Sequence, residues 1–306
     1  MQTARWVTTA LMPLVLPWST LLADDKTEAG VPPSQAQIRS TIERSLPYLE
    51  KAGVSWMEAK KCVSCHRVSF LTWTWSEAGK HGFKVDQEKA KVWLEWSETK
   101  SLEDRGEGKP QDGAQNLDGL AQLLLGHGAE APLPLSKESA ATFVQLLTAG
   151  QQADGSWKPA GQLPDQKRSK EETTQVSTMW NAFALGTTEK TAVVQGARER
   201  ARGFLESASP GKSTEWYAAR LLLWRQQGEE AKMRAAAEEL KSKQHADGGW
   251  GWLVDEKSDA LATGQALFAL SFIDLPPEDA AIGRAQQFLV STQTMNGSWA
   301  VQGTKE

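Results

Sequence analysis

The sequence predicts an all-α, single-domain protein assembled from about six helix–loop–helix repeats. Three observations carry that expectation. Trp occurs 14 times and Tyr only twice, an inversion of ordinary usage that points to an internal repeat. A unit of the form Arg284-Ala285-x-x-Phe288-Leu289-x-x-x-Gln293-x-x-x-Gly297-x-Trp299 recurs, whole or degraded, along the chain. Ala, Leu, Glu, Lys and Gln dominate while β-branched runs are scarce, which favours helix over strand.

Residues 1–23 read as a secretory signal peptide. Arg5 supplies the positive charge, Val7 to Leu16 is mostly apolar, and Ala23 offers a small residue for cleavage before Asp24-Asp25. The apolar run carries Pro13 and Pro17 and is too short to cross a bilayer, so no stable span is expected after cleavage; a retained N-terminal anchor is the alternative. The expected location is therefore periplasmic or secreted. Residues 24–35 are expected to be a flexible N-terminal segment ahead of a helical domain over 36–303.

The first outer helix, about 36–52, contains Arg44-Ser45-x-x-Tyr48-Leu49, and the first inner helix follows at about 66–79, with apolar residues from Phe70 to Trp75. Lys89-Ala90-x-x-Trp93-Leu94 and then Leu117–Leu125 supply the second pair. Phe143…Leu147…Gln151…Gly155-x-Trp157 precedes Val176–Leu185, and Arg200-Ala201-x-x-Phe204-Leu205 precedes Trp216–Trp224. Ala236…Leu240…Gln244…Gly248-x-Trp250 precedes Leu261–Ile273, and the 284–299 unit opens the sixth repeat. Measured at the position of Phe288, the units fall at 48, 93, 146, 204, 239 and 288; steps of 35 to 58 residues suit two helices each. Two stretches rich in charge and Gly, Lys100 to Gln115 and Lys158 to Lys170, are expected to be solvated loops, with a lid over one rim as the alternative.

The units at 284–299, 236–250 and 143–157 resemble the QW motifs of terpenoid cyclases. The repeat as a whole is similar to the α/α-toroid family of squalene–hopene cyclases, oxidosqualene cyclases and protein prenyltransferases, over residues 36–303. The resemblance implies an inner ring of helices around a cavity and an outer ring enclosing it. It gives Gln293, Gln244, Gln151, Trp299, Trp250 and Trp157 a structural role joining neighbouring repeats; stacking on a carbohydrate or isoprenoid is the alternative for these Trp residues. It does not carry the family's activities over. The D-x-D-D acid of the cyclases is absent, and both cysteines, which a prenyltransferase-type zinc site would draw on, fall elsewhere.

Those cysteines stand in Cys62-Val63-Ser64-Cys65-His66, the C-x-x-C-H attachment signature of haem c. On a helix, residues three apart share a face, so both thiols can meet the two vinyl groups of one porphyrin, and His66 is placed to give the iron an axial nitrogen. Export suits this reading and also permits a Cys62–Cys65 disulfide, though so short a loop constrains little chain. Candidates for the sixth haem ligand are His81, His127, His245, Met57, Met179, Met233 and Met295. Trp56, Phe70, Trp73 and Trp75 would cover a haem face or serve as ordinary core.

Four acids open inner helices: Asp118, Glu172, Glu215 and Asp259. Acids in a first turn cap the helix and meet its dipole; alternatively the four converge on one rim as a cation, amine or hydroxyl site. The formal charge is −4, and −5 without residues 1–23 (33 basic against 38 acidic), which argues against a nucleic-acid partner. Three functions follow: an exported haem c protein for electron transfer or redox sensing, with a redox partner protein; an isoprenoid-binding or cyclase-like protein using the toroid cavity; and an interaction scaffold with a Cys62–Cys65 disulfide.

Overall fold

The computed structural model describes residues 32–60, 66–104, 106, 113–160, 163–276 and 278–305. The signal peptide expected at 1–23 and the two cysteines lie outside them. Within the described residues the chain is almost wholly helical: α1 (Gln35–Lys60), α2 (His66–Lys80), α3 (Gln87–Ser101), α4 (Leu117–Gly126), α5 (Lys137–Ala149), α6 (Lys170–Leu185), α7 (Ala192–Glu206), α8 (Thr214–Gln227), α9 (Glu230–Ser242), α10 (Ala260–Leu270) and α11 (Ala280–Thr292). One two-residue ribbon pairs β1 (Trp250–Gly251) antiparallel with β2 (Ser258–Asp259). No described helix is long and apolar enough to cross a membrane.

Short polar residues start these helices. Ser136, Ser169, Thr191 and Ser213 cap α5 to α8, each accepting from a backbone N–H three residues on. Asp259 and Asp279 do the same for α10 and α11, and each such cap is worth about 1 kcal/mol.

The helices alternate between two layers. α2, α4, α6, α8 and α10 each pack on the next to form an inner row. α3, α5, α7, α9 and α11 back them from outside, and α1 packs on both α2 and α11. Among the described residues this makes five inner helices and six outer ones, so the expected six pairs become five pairs and one further outer helix. Where a sixth inner helix would stand, between α10 and α2, α1 turns Ile42, Leu46 and Leu49 to the interior. Trp73 of α2 also meets Phe268 of α10 edge-on there, with ring centroids 5.4 Å apart.

The largest apolar core lies between the two layers from α4 to α10, and includes Phe143, Leu147, Trp157, Leu222, Leu240 and Trp250, all 0 % exposed. A smaller one gathers Leu46, Leu71, Trp75, Ala90 and Trp93 beneath α1 to α3. α1 continues to Lys60, beyond the expected end at about 52, because Gly53 lets α2 approach closely: a Cβ there would stand 2.5 Å from Leu71 Cδ2. Packing against α2 thus carries the helix through a Gly-Val-Ser sequence of weak helix propensity.

The QW units are one device used three times. Trp157, Trp250 and Trp299 each donate Nε1–H to the carbonyl ten residues back (Leu147, Leu240, Leu289) at 2.8 Å. The amides of Gln151, Gln244 and Gln293 each donate both to the local Gly carbonyl and to the next outer helix, at Ala197, Ala281 and Thr41 respectively, at 2.8 Å. Gly155, Gly248 and Gly297 hold positive φ (90°, 86° and 84°) against the carbonyls of Arg200, Arg284 and Arg44, leaving no room for a Cβ. The third copy joins α11 to α1, the last helix to the first.

Candidate functional site

The inner helices and α1 line a cavity of about 670 Å³. Most of its wall is apolar: Phe70, Trp73, Leu125, Val176, Trp180 and Phe268 contribute from α2, α4, α6 and α10. Phe70 stacks on Trp73 with centroids 6.0 Å apart, and both face this space, whereas Trp75 packs edge-on against Trp93 in the smaller core. Phe70 and Leu261 keep 42 % and 41 % exposure because they look into the cavity and not into packed helix.

One sector of the wall is polar, and it is built from helix starts. Asp118 is the second residue of α4 and Glu215 the second of α8; Arg168 comes from the turn before α6. Arg168 Nη1 donates to Glu215 Oε2 at 2.8 Å, and its guanidinium lies 5.5 Å from the Trp252 ring centroid. Trp180 Nε1 donates to the other Glu215 oxygen at 3.0 Å. Arg168 is 5 % exposed, so the expectation of a solvated loop from Lys158 to Lys170 fails at its end: Leu163 and Arg168 form part of the cavity wall. The pairing supplies the reason, since a guanidinium so deeply buried needs its carboxylate.

Asp118 is buried beside this pair. Asn181 Nδ2 donates to its Oδ1 at 3.2 Å, while Oδ2 has no hydrogen-bond partner among the described residues. Burial pushes its pKa up to about 6, and the charge of Glu215 adds to the rise; Ser177, the Ala160 backbone and Asn181 oppose it. The Ser177 hydroxyl and Gln265 Oε1, also on the wall, are likewise buried with no partner within 3.5 Å among the described residues, although Ser177 is near enough to Asp118 to act on its carboxyl.

The four expected acids therefore divide. Asp118 and Glu215 line the cavity. Glu172 does not: its Oε1 accepts from Ser213 N (2.7 Å) and Ser213 Oγ (2.6 Å), tying α6 to the start of α8. Asp259 caps α10 through Ala262 N (2.9 Å), and burial raises its pKa. Arg168, Ser177, Asn181 and Gln265 were not singled out from sequence. Ser177, Asn181 and Gln265 interrupt apolar helix faces, the one signal that marks them in advance.

His66 is the first residue of α2 and Phe70, one turn on, is on the cavity wall; Cys62 and Cys65 lie outside the described residues. Of the other candidate ligands, His127 is buried, donates Nδ1–H to the Leu133 carbonyl at 2.8 Å, and has its pKa lowered by that burial. His245 is held between Ser258 Oγ and the Val254 carbonyl, each at 2.9 Å, and Met179 is in the core. His81 sits on the cavity rim, 3.6 Å from Glu77. Trp56 lies under the Arg67 guanidinium, 5.1 Å away.

Residues 213–300 match the family model of the squalene-hopene cyclase N-terminal domain. The matched span runs from the cap of α8 to just past Trp299, and so contains the second and third QW units and the Glu215 side of the cavity. No curated protein matches the chain.

Proposed function

We propose that this protein binds an isoprenoid-like apolar molecule inside an α/α toroid, closed by the contact of α11 with α1. The observation that carries the reading is the cavity of about 670 Å³ with an aromatic wall. Ligand sites of this size are concave, mainly apolar and fixed by a few polar groups, which is the composition here. The match of residues 213–300 to a squalene-hopene cyclase domain supports the same ligand class. The chain lacks the D-x-D-D acid, so binding is the assigned activity and cyclisation is not. Trp73 and Trp180 are on the wall, so titration with squalene, followed by Trp fluorescence, tests the reading. A saturable change that Trp180→Phe diminishes is expected; no saturable binding of any isoprenoid would reject it.

A second reading concerns the C-x-x-C-H motif. Exported material would carry one haem c on Cys62 and Cys65 with His66 as axial ligand, serving electron transfer or redox sensing with a partner protein. The start of α2 at His66 favours it, because the motif then runs directly into a helix at the acid-bearing end of the inner row. The group would supply one-electron chemistry; the chain's part is to anchor it and exclude water. Protein from a host with haem c maturation should show a Soret band that survives acid–acetone extraction. Colourless protein with Cys62 bonded to Cys65 would replace this reading with the scaffold.

A further inference from the structure

The apolar-ligand reading leaves open which isoprenoids fit, and the polar sector of the wall narrows the choice. We infer that the cavity selects a neutral isoprenoid alcohol, whose hydroxyl donates to Asp118 Oδ2 and sits beside Ser177, over both the parent hydrocarbon and the diphosphate ester. The inference rests on the reading of the cavity as an isoprenoid site.

Asp118 is 7 % exposed and Ser177 1 %, and the Ser177 hydroxyl lies near enough to Asp118 to favour its charged form, yet among the described residues neither Asp118 Oδ2 nor Ser177 Oγ has a partner within 3.5 Å, and both residues line the cavity. A buried polar atom without a partner costs on the order of 1–3 kcal/mol, so a ligand that supplies one is favoured over a hydrocarbon that fills the same space. A hydroxyl fits both groups, since it donates to a carboxylate and accepts from a serine.

Charge excludes the diphosphate. Among the described residues the wall carries three carboxylates, Glu77, Asp118 and Glu215, against one guanidinium, Arg168, which is already committed to Glu215, and the imidazole of His81, which lies 3.6 Å from Glu77. An anionic head would meet net repulsion, with no free guanidinium or ammonium among the described wall residues to bind it.

Calorimetric titration of the full chain with farnesol, farnesene and farnesyl diphosphate separates the possibilities, because the three share one hydrocarbon skeleton. We expect farnesol to bind about tenfold more tightly than farnesene, with the diphosphate weakest. Asp118→Leu should bring the farnesol-to-farnesene ratio near one while farnesene still binds, which also shows that the variant folds. Ser177→Ala should reduce the ratio in the same direction. Equal affinity of wild type for farnesol and farnesene, or preference for the diphosphate, overturns the inference while leaving the apolar site in place. Binding of none of the three overturns the apolar site itself.

Discussion

The side-chain amide of Gln293 donates to the backbone carbonyl of Thr41 at 2.8 Å, across 252 residues of sequence. The same amide group of Gln244 reaches Ala281, and that of Gln151 reaches Ala197, so one local motif makes both a neighbour contact and the contact between first and last helices. That Gln293 also reaches its own loop, at the Gly297 carbonyl, fixes the angle at which α11 meets α1.

Gln293→Ala removes two hydrogen bonds and should lower stability by about 1–3 kcal/mol. The more telling readout is hydrogen exchange. Amides of α1 and α11 should lose protection together, while those of α4 to α8 keep theirs. Unchanged exchange in α1 would mean the contact does not join the ends.

The tryptophans of the motif differ in burial. Trp250 is 0 % exposed while Trp299 is half-buried, so Trp250→Ala should cost about 3–5 kcal/mol and Trp299→Ala distinctly less. Gly248→Ala adds a separate test: its φ of 86° is strained for an L residue, and the new Cβ would stand 2.5 Å from the Arg284 carbonyl oxygen. Urea unfolding of the three variants measures all of these effects.

Arg168 depends on Glu215. Removing the charge with Glu215→Gln leaves a guanidinium whose side chain is 1 % exposed without its anionic partner, at a cost of about 3–5 kcal/mol. The double variant Arg168→Met, Glu215→Gln should recover most of that loss. A double-mutant cycle by chemical denaturation checks the coupling, which near-additive single effects would disprove.

Asp118 predicts a pH dependence with a definite sign. Its native pKa of about 6 lies above the unfolded value, so the native state holds the proton to higher pH. The associated stabilisation is complete below about pH 4 and disappears as pH rises through 6, a difference of up to about 3 kcal/mol. Asp118→Asn should therefore match wild type near pH 4 and exceed it in stability at pH 7.5. Denaturant midpoints at the two pH values decide the matter; a variant less stable than wild type at pH 7.5 would show that the carboxylate is favoured where it sits.

Much of this was legible in the sequence, for physical reasons. The QW units announce themselves because Gly155, Gly248 and Gly297 need positive φ and close approach, and the Gln and Trp beside them have fixed partners at fixed offsets. Local rules of that kind survive in sequence. The length of α1 and its place on the cavity wall did not, since both come from packing on α2 and α11 rather than from its own propensity. Asp118 and Glu215 stood out as acids at helix starts, but so did Glu172 and Asp259, and only the tertiary arrangement separates wall from cap. Arg168 was hidden for the same reason. A charged loop residue looks solvated until the carboxylate 47 positions later is folded against it.

If an isoprenoid occupies the cavity, a bulky side chain at Gly264 should displace it. Gly264 lies on the wall in α10, and a Cβ added there meets nothing within 4 Å, so Gly264→Phe can fill the cavity while improving helix propensity. Equilibrium dialysis of labelled farnesol against wild type and Gly264→Phe, with thermal melts of both, is the measurement. Saturable binding by wild type, reduced at least about tenfold in a variant that melts no lower, is the predicted result. Equal binding by the two proteins would contradict the account.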